Sequence, residues 1–319
     1  MTRYGFHGSH EQHSPDRLLA HVRAAEAAGF EAAMCSDHFH PWLPEQGESG
    51  FAWAWLGAAL EATKLSFGTV TAPGWRYHPA VVAQGAATLA VMYPGRFWLA
   101  IGSGEALNEG ITGLPWPPKP ERNARLRESA DVIRALWRGE TVTHDGRITV
   151  HDAKLYSRPR QAPTLFVAAL SAETAATVAP WADALLTIGG DTDKVRKVVD
   201  AFRANGGAGK PVALQHVVSW APTEREAREQ AFQQWRQSAV ERAKLADLRT
   251  PEQFAHASRE VQPSDVDKGV RISASADQHV EWLAAYEPLG IDAIYVMNSG
   301  KNQEQYIEAF GAKVLPQLR

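Results

Sequence analysis

Residues 293–298 read Ala293-Ile294-Tyr295-Val296-Met297-Asn298, and a helical stretch over 303–315 closes the chain. The first segment is a β-branched and aromatic run of strand length. It is the eighth of its kind, and that count decides the fold. Working back toward the N-terminus, the spacing predicts strands over 3–7, 31–36, 64–72, 96–102, 164–170, 184–188 and 212–220. Between them lie Ala-rich stretches of helical period. Helices are predicted from Pro15, after Ser14 as cap, up to Gly29, and over 52–62, 79–93, 121–138, 172–180, 192–204 and 276–288. Strand and helix in regular alternation make a parallel α/β sheet. Eight such units and a closing helix favour a (β/α)8 TIM barrel spanning 1–319 as a single domain, over a doubly wound open sheet. Insertions are expected at about 104–123, 139–162 and 223–268, the last a long polar helical stretch. The run His144-Asp145-Gly146-Arg147 predicts a hairpin turn in which Asp-Gly supplies positive φ angles.

The composition excludes several classes. The chain has 319 residues, 45% of them hydrophobic and 22% charged, so it buries a large core without disulfides. Its one cysteine, Cys35, permits no disulfide framework or cysteine-based zinc site, and reads as a buried strand residue. A net charge of −3 with no basic stripe argues against nucleic acid. No apolar run approaches the roughly 20 residues of a bilayer span, and Met1–Gln12 has no apolar signal core. A cytoplasmic protein without a membrane partner is expected. Eleven tryptophans are conspicuous. Trp98, Trp181 and Trp282 are expected to pack. Trp42, Trp75 and Trp116 fall in loops after strands two, three and four and are expected to border a pocket.

In a barrel the chemistry sits at the C-terminal strand ends. Strand two ends in Ser36-Asp37-His38-Phe39-His40. His38 is a candidate general base, because imidazole titrates near neutrality, and the adjacent Asp37 could hold its orientation. A histidine bonding only loop backbone is the bland alternative. Strand four ends in Gly102-Ser103-Gly104-Glu105. Its glycines allow a ligand close to the backbone, and desolvation could make Glu105 a proton donor. A solvated carboxylate is the competing reading. No third glycine follows at the dinucleotide spacing, since position 107 is Leu107. Ser171 and Thr174 open the helix after strand five. Ordinary capping explains them, and a phosphate site is the alternative. His38-x-His40 is also a metal-ligand pattern of barrel hydrolases, so a metal-dependent hydrolase is the runner-up. The later strands offer only His216, within strand seven, and no metal is expected.

Together these segments resemble the luciferase-like flavin-dependent oxidoreductases, near the branch of the deazaflavin-dependent sugar-phosphate dehydrogenases. The resemblance is carried by 4–12, by Ser36-Asp37-His38-Phe39-His40-Pro41-Trp42, by Arg76-Tyr77-His78-Pro79-Ala80 and by 93–97. Its most specific block is Gly102-Ser103-Gly104-Glu105-Ala106-Leu107-Asn108-Glu109, followed by 124–129. It implies hydride transfer between a small organic substrate and FMN or a deazaflavin (coenzyme F420), with monooxygenation as a further possibility. It implies His38 as base, Trp42 as the aromatic that steadies developing charge, and Glu105 as acid. The cofactor residues it implies are Asp37, Thr69, Val70, Thr71, Ser103, Gly104, Glu105, Ala106, Asn108, Ala168, Ala169, Leu170, Ser171 and Thr174. A cis peptide is implied at Thr69–Thr71, and a homodimer through helices two and three.

Two departures from that branch stand out. Asp191 and Gly269 align where its members carry phosphate-binding lysines, with Lys268 and Arg271 only nearby. A carboxylate there would repel a phosphate dianion, so a phosphorylated sugar is disfavoured. Leu170-Ser171-Ala172-Glu173-Thr174 is closer to the phosphate cradle of FMN-using members, so FMN is expected ahead of the deazaflavin.

Overall fold

The computed structural model describes residues 2–319. Its strands are β1 (Arg3–Gly8), β2 (Ala32–Ser36), β3 (Ser66–Thr71), β4 (Phe97–Ile101), β5 (Val142–Asp145), β6 (Thr149–Ala153), β7 (Leu165–Ala168), β8 (Ala184–Ile188), β9 (Val212–Ser219), β10 (Arg271–Ile272) and β11 (Ala293–Asn298). The parallel ladder runs β11-β1-β2-β3-β4-β7-β8-β9, and β9 pairs with β11 to close it. That is the barrel expected from the sequence. The helices are α1 (Pro15–Ala28), α2 (Ala52–Ala62), α3 (Pro79–Met92), α4 (Ala106–Glu109), α5 (Lys119–Arg138), α6 (Ala172–Val178), α7 (Thr192–Phe202), α8 (Glu224–Trp235), α9 (Arg242–Leu245), α10 (Pro251–Ala257), α11 (Ala276–Ala284) and α12 (Gln303–Ala309). Among the described residues no helix is long and apolar enough to cross a membrane.

Strand alternation builds two cores. Phe6, Cys35, Phe67, Leu99, Val167, Leu185 and Leu214 point outward and pack with the helices. Ala32, Met34, Trp98, Ala100, Phe166, Leu186 and Tyr295 fill the barrel interior. Trp98 is thus core, as expected. Its ring occupies the space over Gly68, where a Cβ would lie 1.9 Å from it. Tyr295 lies over Gly5 in the same way, with a Cβ approach of 2.5 Å. Small and large residues on facing strands fill the bore between them.

Three local expectations are corrected. β5 and β6 form the predicted hairpin, but neither Asp145 nor Gly146 has positive φ. The loop spans three residues between Asp145 and its partner Thr149, so the two-residue turn does not form. The peptides at Thr69–Thr71 are trans, as are all those described; β3 continues its regular pairing with β4 as far as Thr71 opposite Ile101. The 223–268 insertion is not one long helix. It breaks into α8, α9, α10 and 3-10 turns around Phe254 and Trp235, which are buried.

Candidate active site

The loops after β1 and β2 meet at His38. Its Nδ1 lies 3.3 Å from Glu11 Oε1, close enough for an ion pair though without hydrogen-bond alignment. Glu11 is buried in the loop after β1. Ser9 and Ser36 donate hydroxyl hydrogen bonds to its Oε2 at 2.7 and 2.6 Å. Burial raises its carboxyl pKa, but His38 and the two hydroxyls outweigh that and leave it below the usual carboxylate range. Glu11 is therefore held as an anion against the imidazole.

Asp37 does not perform that role. It faces the other way, accepting from Tyr77 Oη at 3.1 Å and lying 3.4 Å from an Arg76 guanidinium nitrogen. Arg76 also lies 3.8 Å from Glu109 Oε2, and its backbone N–H donates to the same oxygen at 3.1 Å. Two buried carboxyls thus share one guanidinium. Burial pushes Glu109 up to about 7, against Arg76 and that backbone N–H.

Trp42 packs on His38 with ring centroids 4.9 Å apart, and on Phe254 of α10 at 5.4 Å. Its backbone is fixed by Gln46, whose Oε1 accepts from Trp42 N at 2.7 Å. Gln46 in turn donates to the Gln234 carbonyl of α8 at 2.9 Å. The insertion therefore roofs the His38 side of the site. Leu245 and Leu248, in and just after α9, pack on Leu43 and Leu107 there.

Glu105 precedes α4. Its side chain is exposed at the turn after β4. Desolvation raises its pKa, opposed by His38, Arg242 and Arg122. The adjoining Gly104 has φ of +81°, and a Cβ there would meet Glu109, Ala72 and Trp116 at 3.0–3.2 Å. Trp116 reaches this turn as expected. Trp75 does not line the opening. It is buried against Trp116, ring centroids 5.1 Å apart.

The remaining residues divide. Val70 lies at the top of the barrel interior, and Ala168 faces Gly102. Thr71 has a buried hydroxyl with no partner. Ser103, Gly104 and Ala168 are small, half-buried residues at the ends of β4 and β7. Thr69 points away, its hydroxyl donating to the Cys35 carbonyl at 3.1 Å. Ala169 is buried in the outer core, which leaves only its backbone to a ligand. Asn108 braces the loop after β2, accepting from Phe39 N at 2.9 Å and His40 N at 3.3 Å. Ser171 caps α6 by accepting from Thr174 N at 3.2 Å, and Leu170 beside it is exposed. A flat ring with polar edges fits this floor of small residues. Thr71 Oγ1, Asp37 Oδ2 and Trp116 Nε1 are buried there without hydrogen-bond partners.

The hydrolase alternative finds no metal site. His40 turns from His38, its Nδ1 donating to the Leu107 carbonyl at 2.9 Å. Among the described residues no three His, Cys, Asp or Glu side chains are grouped to hold a metal ion. His7 and His10 are buried with unpartnered ring nitrogens, and burial lowers each to about 4, which keeps them neutral. The Cys35 thiol is buried, and desolvation pushes its pKa up, so it is inert as expected.

Residues 1–293 match the family model described as luciferase-like monooxygenase. The F420-dependent glucose-6-phosphate dehydrogenase of Microbacterium testaceum is 34% identical over 99% of this chain and 97% of its own length. The solved structure of an F420-dependent secondary alcohol dehydrogenase with an F420-acetone adduct superposes with a TM-score of 0.91 at 30% identity, covering 100% of this chain and 99% of that one. A type II Baeyer-Villiger monooxygenase of Pseudomonas putida, solved with FMN, shares the fold at a TM-score of 0.69 and 18% identity, covering 100% and 99%. The chain belongs to the luciferase-like monooxygenase family and is one of its flavin- or deazaflavin-dependent oxidoreductases.

Proposed function

We propose that the protein transfers hydride between a small unphosphorylated alcohol and a deazaflavin of the F420 type. The His38–Glu11 pair beneath Trp42 carries this reading. That cofactor, when bound, supplies a two-electron hydride acceptor. His38 Nε2 takes the hydroxyl proton as the alcohol becomes a carbonyl, and Glu11 balances the imidazolium that results. Trp42 offers its ring to the same charge. Desolvation raises the pKa of Glu105, and this makes it the candidate proton donor at the turn after β4. In the reverse direction the same groups return the proton to the carbonyl oxygen.

Relatives of full length support the deazaflavin, whereas FMN occurs in a neighbour whose low identity speaks for the fold alone. The hydroxyls that favoured FMN are already engaged. Ser171 Oγ donates to Thr174 Oγ1 at 3.0 Å, and Lys119 Nζ donates to that same oxygen at 3.1 Å. An unphosphorylated substrate is supported by Asp191, whose carboxylate caps α7 by accepting from Asp193 N at 2.9 Å and Lys194 N at 3.2 Å. Gly269 leaves room only for Ser238, 2.4 Å from where a Cβ would lie. We also propose a cytoplasmic homodimer, joined through α2 and α3.

The test is titration of the purified protein with F420 and with FMN, followed by alcohol oxidation. F420 should bind more tightly. His38→Ala should lower kcat by roughly 10²-fold or more and leave F420 affinity within a few fold. Binding of neither cofactor refutes the reading. Unchanged turnover removes His38 as the base.

A further inference from the structure

The first turns of α5 carry Lys119 and Arg122 on one face, three residues apart. Neither forms an ion pair among the described residues, although elsewhere on the helix Arg127 pairs with Asp131 and Arg134 with Asp183. Lys119 is exposed and donates from Nζ to Thr174 Oγ1. Arg122 is half-buried and donates to the Gly104 carbonyl at 3.1 Å, its guanidinium 4.7 Å above the Trp116 ring. Its Nε is buried without a partner. The acids that act on Arg122 are Asp247 and Glu105, and neither comes within ion-pair range. Two unneutralised cations therefore run from the turn after β4 to the turn after β7. At the outer end, the Thr174 hydroxyl that Lys119 meets also accepts from Ser171 Oγ.

We propose that Lys119 and Arg122 form a cationic rail for the anionic tail of the deazaflavin, a phosphodiester followed by carboxylates. This rests on the cofactor assigned above. With a planar ring over the Gly104 turn, the side chain would reach Arg122, and a long tail would continue toward Thr174 and Lys119. Arg122, braced by Gly104 and Trp116, meets the phosphodiester with its free Nε–H edge. Lys119 is a mobile point charge at the solvent edge, suited to carboxylates that vary in number. A short phosphate monoester would use Arg122 and leave Lys119 idle.

The test is fluorescence titration with three ligands: F420, the tail-less 8-hydroxy-5-deazariboflavin, and FMN. In Lys119→Ala the F420 Kd should rise about 5-fold, and in Lys119→Ala/Arg122→Gln at least about 50-fold. The tail-less ligand should bind all forms within 2-fold. Rising salt should weaken F420 binding to the native protein and do so less in the double variant. Thermal melting checks that each variant is folded, and Lys119→Ala, altered only at an exposed side chain, keeps the test open if Arg122→Gln does not fold. Equal loss of F420 and the tail-less ligand, or unchanged F420 affinity in both variants, overturns the rail and leaves the cofactor assignment standing. Failure of the native protein to bind either deazaflavin overturns both.

Discussion

At the scale of single residues, adjacency in sequence misled and the strand end explains why. Successive side chains of an extended segment point to opposite sides. Asp37 and His38 therefore diverge, and the anion that faces His38 comes from another strand end, at Glu11. The segment Ser9-His10-Glu11 was visible, but no local spacing shows that Ser9 and Ser36 converge on one carboxylate. The positions of His38, Trp42 and Glu105 in the loops after β2 and β4 were legible, and the structure packs Trp42 on His38 as one local group. Glu109 was not singled out, and it supplies a pH prediction. Its pKa rises from 4.5 to about 7 on burial. A carboxyl raised in the folded state stabilises the fold fully only below its unfolded value, and that contribution is lost as pH climbs through the folded one. Unfolding free energy should therefore fall between about pH 4.5 and pH 7 by an amount bounded near 3 kcal/mol. Glu109→Gln should flatten that slope. Urea unfolding across the range measures it, and parallel slopes in both proteins would discard Glu109 as the source.

At the scale of elements, existence was legible and ends were not. β8 and β11 fall on the predicted boundaries, while β7 stops two residues short of the predicted Leu170. Ala169 N still donates to the Leu186 carbonyl at 3.0 Å before the chain turns to the Ser171 cap of α6, and one sequence does not reveal where pairing stops. The hairpin failed in its turn type for a tertiary reason. Glu128 Oε2 accepts from Arg147 N at 2.8 Å and lies 2.6 Å from where a Gly146 Cβ would be. A neighbouring helix thus sets the loop. The fit of β3 against β4 is the sharpest packing constraint found. Gly68 has no Cβ because the Trp98 indole fills that space. Gly68→Ala must displace a ring wedged between Phe166 and Tyr295, at centroid distances of 4.9 and 5.3 Å. It should cost about 3 kcal/mol and lower Tm by several degrees. Pairing it with Trp98→Leu should restore part of the loss. A single variant as stable as the native protein would show that the bore is loosely packed.

At the scale of the whole molecule, eight alternating units told the closed barrel, because closure leaves no sheet edge to protect. Several of the exposed large hydrophobic side chains lie on α2 and α3 or at their ends. Phe51, Val81, Val91 and Met92 are exposed there, each at 45% or more of its surface. Ala54 and Ala58 are exposed on α2, and Glu61 is the only charged residue in either helix. Two helix faces that carry exposed apolar side chains and no lysine or arginine suit self-complementary packing about a two-fold axis. The site, by contrast, opens at the strand C-termini and needs nothing from a second copy to complete the His38–Glu11 pair. Association should therefore change stability more than chemistry. In Val81→Arg/Met92→Arg each face gains two like charges, which meet their own copies across a two-fold interface. Light scattering should show a dimer for the native protein and a monomer for the variant. The monomer should melt at lower temperature while keeping its affinity for F420. A variant that stays dimeric would move the interface off α3, and a native monomer would leave the two helix faces unpaired.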